Sequence, residues 1–82
     1  DIEEKVNQAK EDFKNGKVSP IQYYLELNVM DFMTLSSYTG IWTFFIKRHL
    51  KPAKFNKLSD KTLMKYAKAF DISLKELKDF GK

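Results

Sequence analysis

Eighty-two residues make one small domain, and a hydrophobic fraction of 43% is that of an ordinary folded chain. There is no cysteine, which excludes disulfides, thiolate metal sites and cysteine nucleophiles and fits a reducing compartment. The net charge of +4 is unevenly spread: residues 1–31 carry seven acids and four lysines, residues 32–82 eleven basic residues and four acids. Within residues 47–68, eight basic residues face one acid, Asp60. Such an excess favours polyanions, nucleic acid before acidic proteins or anionic lipid, although a solvated lysine-rich surface has the same signature. No apolar run approaches the length of a membrane span, and the acidic, polar amino-terminal segment is unlike a signal peptide.

Ile2, Val6, Ala9 and Phe13 share one face of a first helix, with Gly16 placed to end it. Ser19 followed by Pro20 reads as a cap and a first helical position. The second helix so started carries Ile21, Tyr24 and Leu25 and ends near Asn28, a residue that tolerates the left-handed conformation of a helix stop. Asp31 caps a third helix, Phe32 to about Tyr38, which stops at Gly40. A fourth runs from Trp42 or Thr43 to Leu50 and is closed by Pro52. A loop, KPAKFNKLS, follows. Ser59 or Asp60 caps a fifth helix with Leu63, Tyr66, Ala67 and Phe70 inward. Ser73 to Glu76 has the spacing of a capping box and opens a last helix that buries Leu74, Leu77 and Phe80. No stretch alternates with period two, so the expected fold is all-α, a compact bundle of five to six short helices.

Two stretches resemble the Cro/repressor-type (Xre-like, lambda-repressor-like) helix-turn-helix domain. KYAKAFDISLKEL, residues 65–77, looks like that family's closing segment, where a helix with an inward alanine turns into a capped final helix. MDFMTLSSYTGI, residues 30–41, is similar to its second helix and turn, with Leu35 in the core, Ser36 in place of the usual alanine, Gly40 making the turn and Ile41 anchoring it. The resemblance covers about residues 19–78 and implies a helix-turn-helix domain over 18–82, with residues 1–17 as an extra amino-terminal helix on one globular unit. The sequence departs from the pattern at Phe32, where the family often has a polar residue that touches the DNA backbone. It departs again at Trp42, where a small polar cap is usual, and in a loop about two residues longer after the fourth helix.

On that fourth helix, Trp42, Phe45, Ile46, His49 and Leu50 follow the spacing of a buried stripe, leaving Thr43, Phe44, Lys47, Arg48 and Lys51 outside. On a DNA reading, Arg48 pairs with guanine O6 and N7, Thr43 bonds a base edge, and Phe44 packs on a thymine methyl. Lys47 and Lys51 reach base or phosphate, Lys54 and Lys57 contact phosphate, and Lys61, Lys65 and Lys68 form a further stripe on the fifth helix, groove-facing at its start and solvated at its end. Alternatively, Phe44 is covered by the first helix or engages a protein.

The resemblance implies double-stranded DNA binding by a small bacterial or phage transcriptional regulator, cytoplasmic and nucleoid-associated, acting as a dimer. The first helix and the Phe80 end are the candidate dimer surfaces. The alternative is the same scaffold used as an interaction module, adaptor- or antitoxin-like, for an acidic protein partner. No enzyme is expected: there is no glycine-rich phosphate loop, and the one histidine, His49, has no second histidine or cysteine beside it to make a metal site. No cofactor, metal or membrane association is expected. RNA is disfavoured because the aromatics sit on a helix rather than an open sheet platform.

Overall fold

The helix ends decide the architecture. In the computed structural model, which describes residues 2–81, seven helices follow in order: α1 (Ile2–Lys14), α2 (Pro20–Leu27), α3 (Phe32–Thr39), α4 (Thr43–His49), α5 (Pro52–Phe55), α6 (Asp60–Ala69) and α7 (Leu74–Lys78). The protein is all-α, with no strand among the described residues. Ser19, Asp31, Ser59 and Ser73 cap α2, α3, α6 and α7 through their side-chain oxygens, satisfying amides that the first turn leaves without partners. At Ser73 the expected capping box is half formed. Its hydroxyl accepts from the Glu76 N–H at 3.0 Å, while the Glu76 carboxylate meets that hydroxyl at 3.5 Å rather than reaching the Ser73 backbone.

The stops are just as regular. After α1, α2 and α6 the chain turns through one left-handed residue: Gly16, Val29 and Asp71. The next amide folds back onto a carbonyl five residues earlier, Lys17 to Asp12, Met30 to Leu25 and Ile72 to Ala67. After α2 and α6 this double-bonded stop returns an apolar residue to the core, which is why Met30 and Ile72 pack there. Asn28 is therefore not the left-handed residue expected of it. It stays right-handed and caps the helix through its amide, Nδ2 donating to the Tyr24 carbonyl at 2.8 Å, and the positive φ falls on Val29.

The loop expected after α4 is partly helical. Pro52 supplies a first helical position, so KPAKFNKLS contains α5, and Phe55 turns into the core. The described helices thus number seven rather than five or six. A single core draws on every helix from α2 to α7, with Ile21, Leu35, Ile46, Tyr66 and Leu77 fully buried and Phe55 nearly so. The four inward residues expected of α6, namely Leu63, Tyr66, Ala67 and Phe70, are all buried, as is Leu77, while Leu74 and Phe80 are half-buried.

Helix α1 packs on α2, but only Ala9 of its expected face is buried; Val6 and Phe13 are half-buried and Ile2 is exposed. One neighbouring helix covers only a narrow stripe. The carboxyl-terminal end completes the seam: Phe80 lies 4.7 Å from Phe13 and from Tyr23, ring centre to ring centre. The first helix and the Phe80 end, read from sequence as dimer surfaces, therefore pack on each other.

Val29 is the position where backbone and side chain disagree. A β-branched residue at φ +53° is strained by about 1–2 kcal/mol, and its exposed side chain recovers little by burial. Val29→Asn should raise stability by about 0.5–1 kcal/mol, read as a higher urea midpoint at unchanged slope.

Candidate functional site

The cationic surface is built on α3, α4 and the three-residue turn between them. Gly40 takes φ +73°, ending α3 with one amide bond to the Ser36 carbonyl and reversing the chain. Thr39, which the sequence reading passed over, braces the turn. Its buried hydroxyl donates to the Leu35 carbonyl at 2.8 Å and accepts from the Ile41 N–H at 3.1 Å. Its place four residues after Leu35, on the same inward face, is the signal that could have found it.

Helix α4 is seven residues long and has one buried residue, Ile46. Burying that side chain contributes about 1.5–3 kcal/mol, too little to fix a short helix unaided. Its carboxyl-terminal end is held by Ser19. The Ser19 hydroxyl donates to the His49 carbonyl at 2.8 Å, and the Ser19 N–H donates to the Leu50 carbonyl at 2.7 Å. The same hydroxyl accepts from the Ile21 N–H at 3.4 Å as the cap of α2. One fully buried serine thus joins the start of one helix to the end of another. Beneath α4, His49 Nδ1 and the Tyr66 hydroxyl share a hydrogen bond of 2.7 Å. Burial pushes the Tyr66 hydroxyl far above the ordinary phenol value. Burial first, and then the neighbouring Arg48 charge, hold His49 below the ordinary imidazole value of 6.5.

The buried stripe expected on α4 is overturned at two positions. Trp42 is 76% exposed and Phe45 48% exposed, while Ile46 is buried and His49 and Leu50 are half-buried. The 100° spacing misleads at Trp42 because that residue precedes the helix, in extended conformation (φ −62°, ψ 144°), and its indole leaves the first turn without a side-chain cap. Phe45 lies about a quarter-turn from Ile46, at the edge of the packed arc. Cover by the first helix is overturned as well: α1 packs on α2, and Phe44 is 61% exposed. Five of the nine exposed large hydrophobics among the described residues fall between Met33 and Phe45, so the α3–α4 face is apolar as well as cationic.

Of the candidate contacts, Thr43 is half-buried in the first turn of α4, while Lys47, Arg48, Lys51, Lys54, Lys57 and Lys61 are all exposed. None of these six makes an ion pair among the described residues, where Lys78 pairs with Asp60 at 3.1 Å. Two cations are seated on rings. The Lys47 ammonium lies 5.6 Å from the centre of Phe32, and the Arg48 guanidinium 5.7 Å from that of Phe44. Phe32, the departure at the start of α3, therefore holds the cation of the facing helix. Lys51 immediately precedes α5 and Lys54 lies on it, directly after α4. Lys61 lies in the first turn of α6, an end tied to α7 through Asp60 and Lys78, and Lys65 and Lys68 run exposed along the same helix.

A concavity of about 410 Å³ lined by Lys10, Phe13, Lys14, Phe80 and Gly81 includes no residue of α4. Among the described residues no group of three or more histidine, aspartate or glutamate side chains could hold a metal ion, and no helix is long and apolar enough to cross a membrane. Comparisons of the chain with protein-family models, with curated proteins and with solved structures found no match.

Two measurements test the seating of α4. Ser19→Ala removes a cap and strands a part-buried carbonyl, and should cost about 2 kcal/mol; Ser73→Ala, at an exposed cap, should cost about 1 kcal/mol in the same urea titration. Because His49 is held below 6.5 in the folded chain, the unfolded chain takes up the proton first. Stability should therefore be full above pH 6.5 and fall as pH drops below it, a fall that His49→Gln should flatten when midpoints are compared from pH 7.5 to 5.5.

Proposed function

We propose that the protein is a sequence-specific double-stranded DNA-binding domain, a small transcriptional regulator of bacterial or phage type whose α4 enters the major groove. The observation that carries this reading is the outer face of α4 and its continuation: Lys47 and Arg48 on α4, and Lys51 and Lys54 directly after it, are exposed and without ion-pair partners among the described residues, and α4 is joined to α3 by a three-residue turn. Unpaired like charges repel one another, and a row of phosphates relieves that repulsion while releasing counterions. The resemblance to Cro/repressor-type domains points the same way, and with it come the expectations of a cytoplasmic, nucleoid-associated protein acting as a dimer on half-sites about one helical turn apart. The reading needs no cofactor and no catalytic chemistry.

A second reading rests on the exposure of Trp42 and Phe45 beside Phe44. Large apolar patches rimmed by polar groups mark protein interfaces as well, and the cations around this one suit an acidic partner.

Selection from a random duplex pool at near-physiological salt separates the two. On the DNA reading a motif is enriched, it is lost in Arg48→Ala, and log affinity falls with log salt at a slope of about −5 per subunit, the value for six neutralised phosphates. Failure to retain duplex at any salt overturns that reading in favour of the protein partner. In that case Phe44→Ala should abolish capture of the partner while Arg48→Ala leaves it largely intact.

A further inference from the structure

Arg48 follows Phe44 by four residues on α4, so the two side chains are neighbours on its outer surface. The guanidinium sits over the phenyl face at 5.7 Å, and both residues are exposed. The positive charge is drawn to the ring quadrupole, while the N–H donors of the guanidinium fork remain available to another partner. Those donors have no acid beside them, since Arg48 makes no ion pair among the described residues. The ring narrows the directions the side chain samples, which lowers the cost of ordering it in a complex.

The partner that satisfies both groups follows from the chemistry of the major groove. A planar pair of donors matches the O6 and N7 acceptors of guanine, the one base edge there with two acceptors side by side. Phe44 has no polar atom to offer. The apolar group on a major-groove edge is the C5 methyl of a pyrimidine, present in thymine and in 5-methylcytosine. Two side chains in contact must touch two groups that are close together, and the neighbours of a guanine edge are the bases stacked on it, about 3.4 Å away along the axis.

We infer that Arg48 and Phe44 form one reading unit, specific for a guanine adjacent to a C5-methylated pyrimidine. This rests on the DNA reading of α4 and names the step that the helix selects. It assigns specificity at two adjacent positions to two neighbouring side chains, Arg48 for the guanine and Phe44 for the methyl.

The test is a parallel selection with the full chain and three random duplex pools: one with thymine, one with uracil in its place, and one with uracil plus 5-methylcytosine in place of cytosine. The thymine pool should return guanine beside thymine. The uracil pool should keep the guanine, lose the preference for its neighbour and bind about fourfold more weakly, the factor for withdrawing one methyl-sized apolar group from contact. The third pool shows the source of the methyl: recovery with cytosine at that position means that either pyrimidine serves, and no recovery assigns it to thymine, the proposal standing in both cases. Phe44→Ala should return the guanine alone from every pool and bind the thymine and uracil forms equally. Identical motifs and affinities from the thymine and uracil pools would overturn the inference while leaving the DNA reading intact, as would a methyl preference that survives Phe44→Ala. Retention of duplex without any motif also overturns it, leaving phosphate binding alone. No retention of any pool removes the DNA reading itself.

Discussion

The buried hydroxyl of Ser19 is the constraint on which the rest of the molecule depends. Helix ends inside a protein carry amides and carbonyls that water cannot reach, and each must find a partner. Here one side chain serves the amide end of α2 and the carbonyl end of α4, with its own backbone amide completing the junction at Leu50. The opposed partial charges of the two helix ends meet across the same atoms, which adds to the attraction. Helix α4, with one buried side chain, owes its position as much to this polar joint as to apolar packing. The direction in which Lys47, Arg48 and Phe44 point is therefore set from α2.

A second continuity runs through the aromatic residues. Phe13 of α1 meets Phe80, Phe80 meets Tyr24 of α2, Tyr24 meets Phe70, Phe70 meets Tyr66 of α6, and Tyr66 meets His49 of α4, with ring centres between 4.7 and 6.3 Å apart. Offset and edge-on pairs of this kind contribute about 0.5–1.5 kcal/mol each beyond the surface they bury. The chain of rings gives α1 a place in the same packed structure as the helix that carries the cations, although α1 itself touches chiefly α2 and the carboxyl-terminal end.

Much of this was legible in the residues themselves. Ser19, Asp31, Ser59 and Ser73 were readable as caps because a helix start requires a short polar side chain and these positions precede apolar periodic runs. The inward set of α6 was readable because a ten-residue helix samples its own period nearly three times. The failures have physical causes too. Asn28 looked like the left-handed stop by residue type, but the fold-back of Met30 onto Leu25 governs that turn and forces the conformation on Val29. Pro52 looked like a terminator because proline ends helices, yet it equally begins them, and so α5 was missed. The exposure of Trp42 and Phe45 was hidden because α4 has too few residues for periodicity to separate a buried stripe from its edge. The joint between Ser19 and His49 spans thirty residues, a separation at which local patterns carry no information.

The position of Trp42 has an optical consequence. It is the only tryptophan in the chain, and it stands in solvent before α4 rather than in the core. Its fluorescence is thus already that of a water-exposed indole in the native state, and unfolding changes its surroundings little. Anything that covers the α3–α4 face removes that water, shifting the emission to shorter wavelength or quenching it. The chain carries a built-in reporter of docking that is nearly blind to denaturation, while its four tyrosines, two of them buried, report the fold.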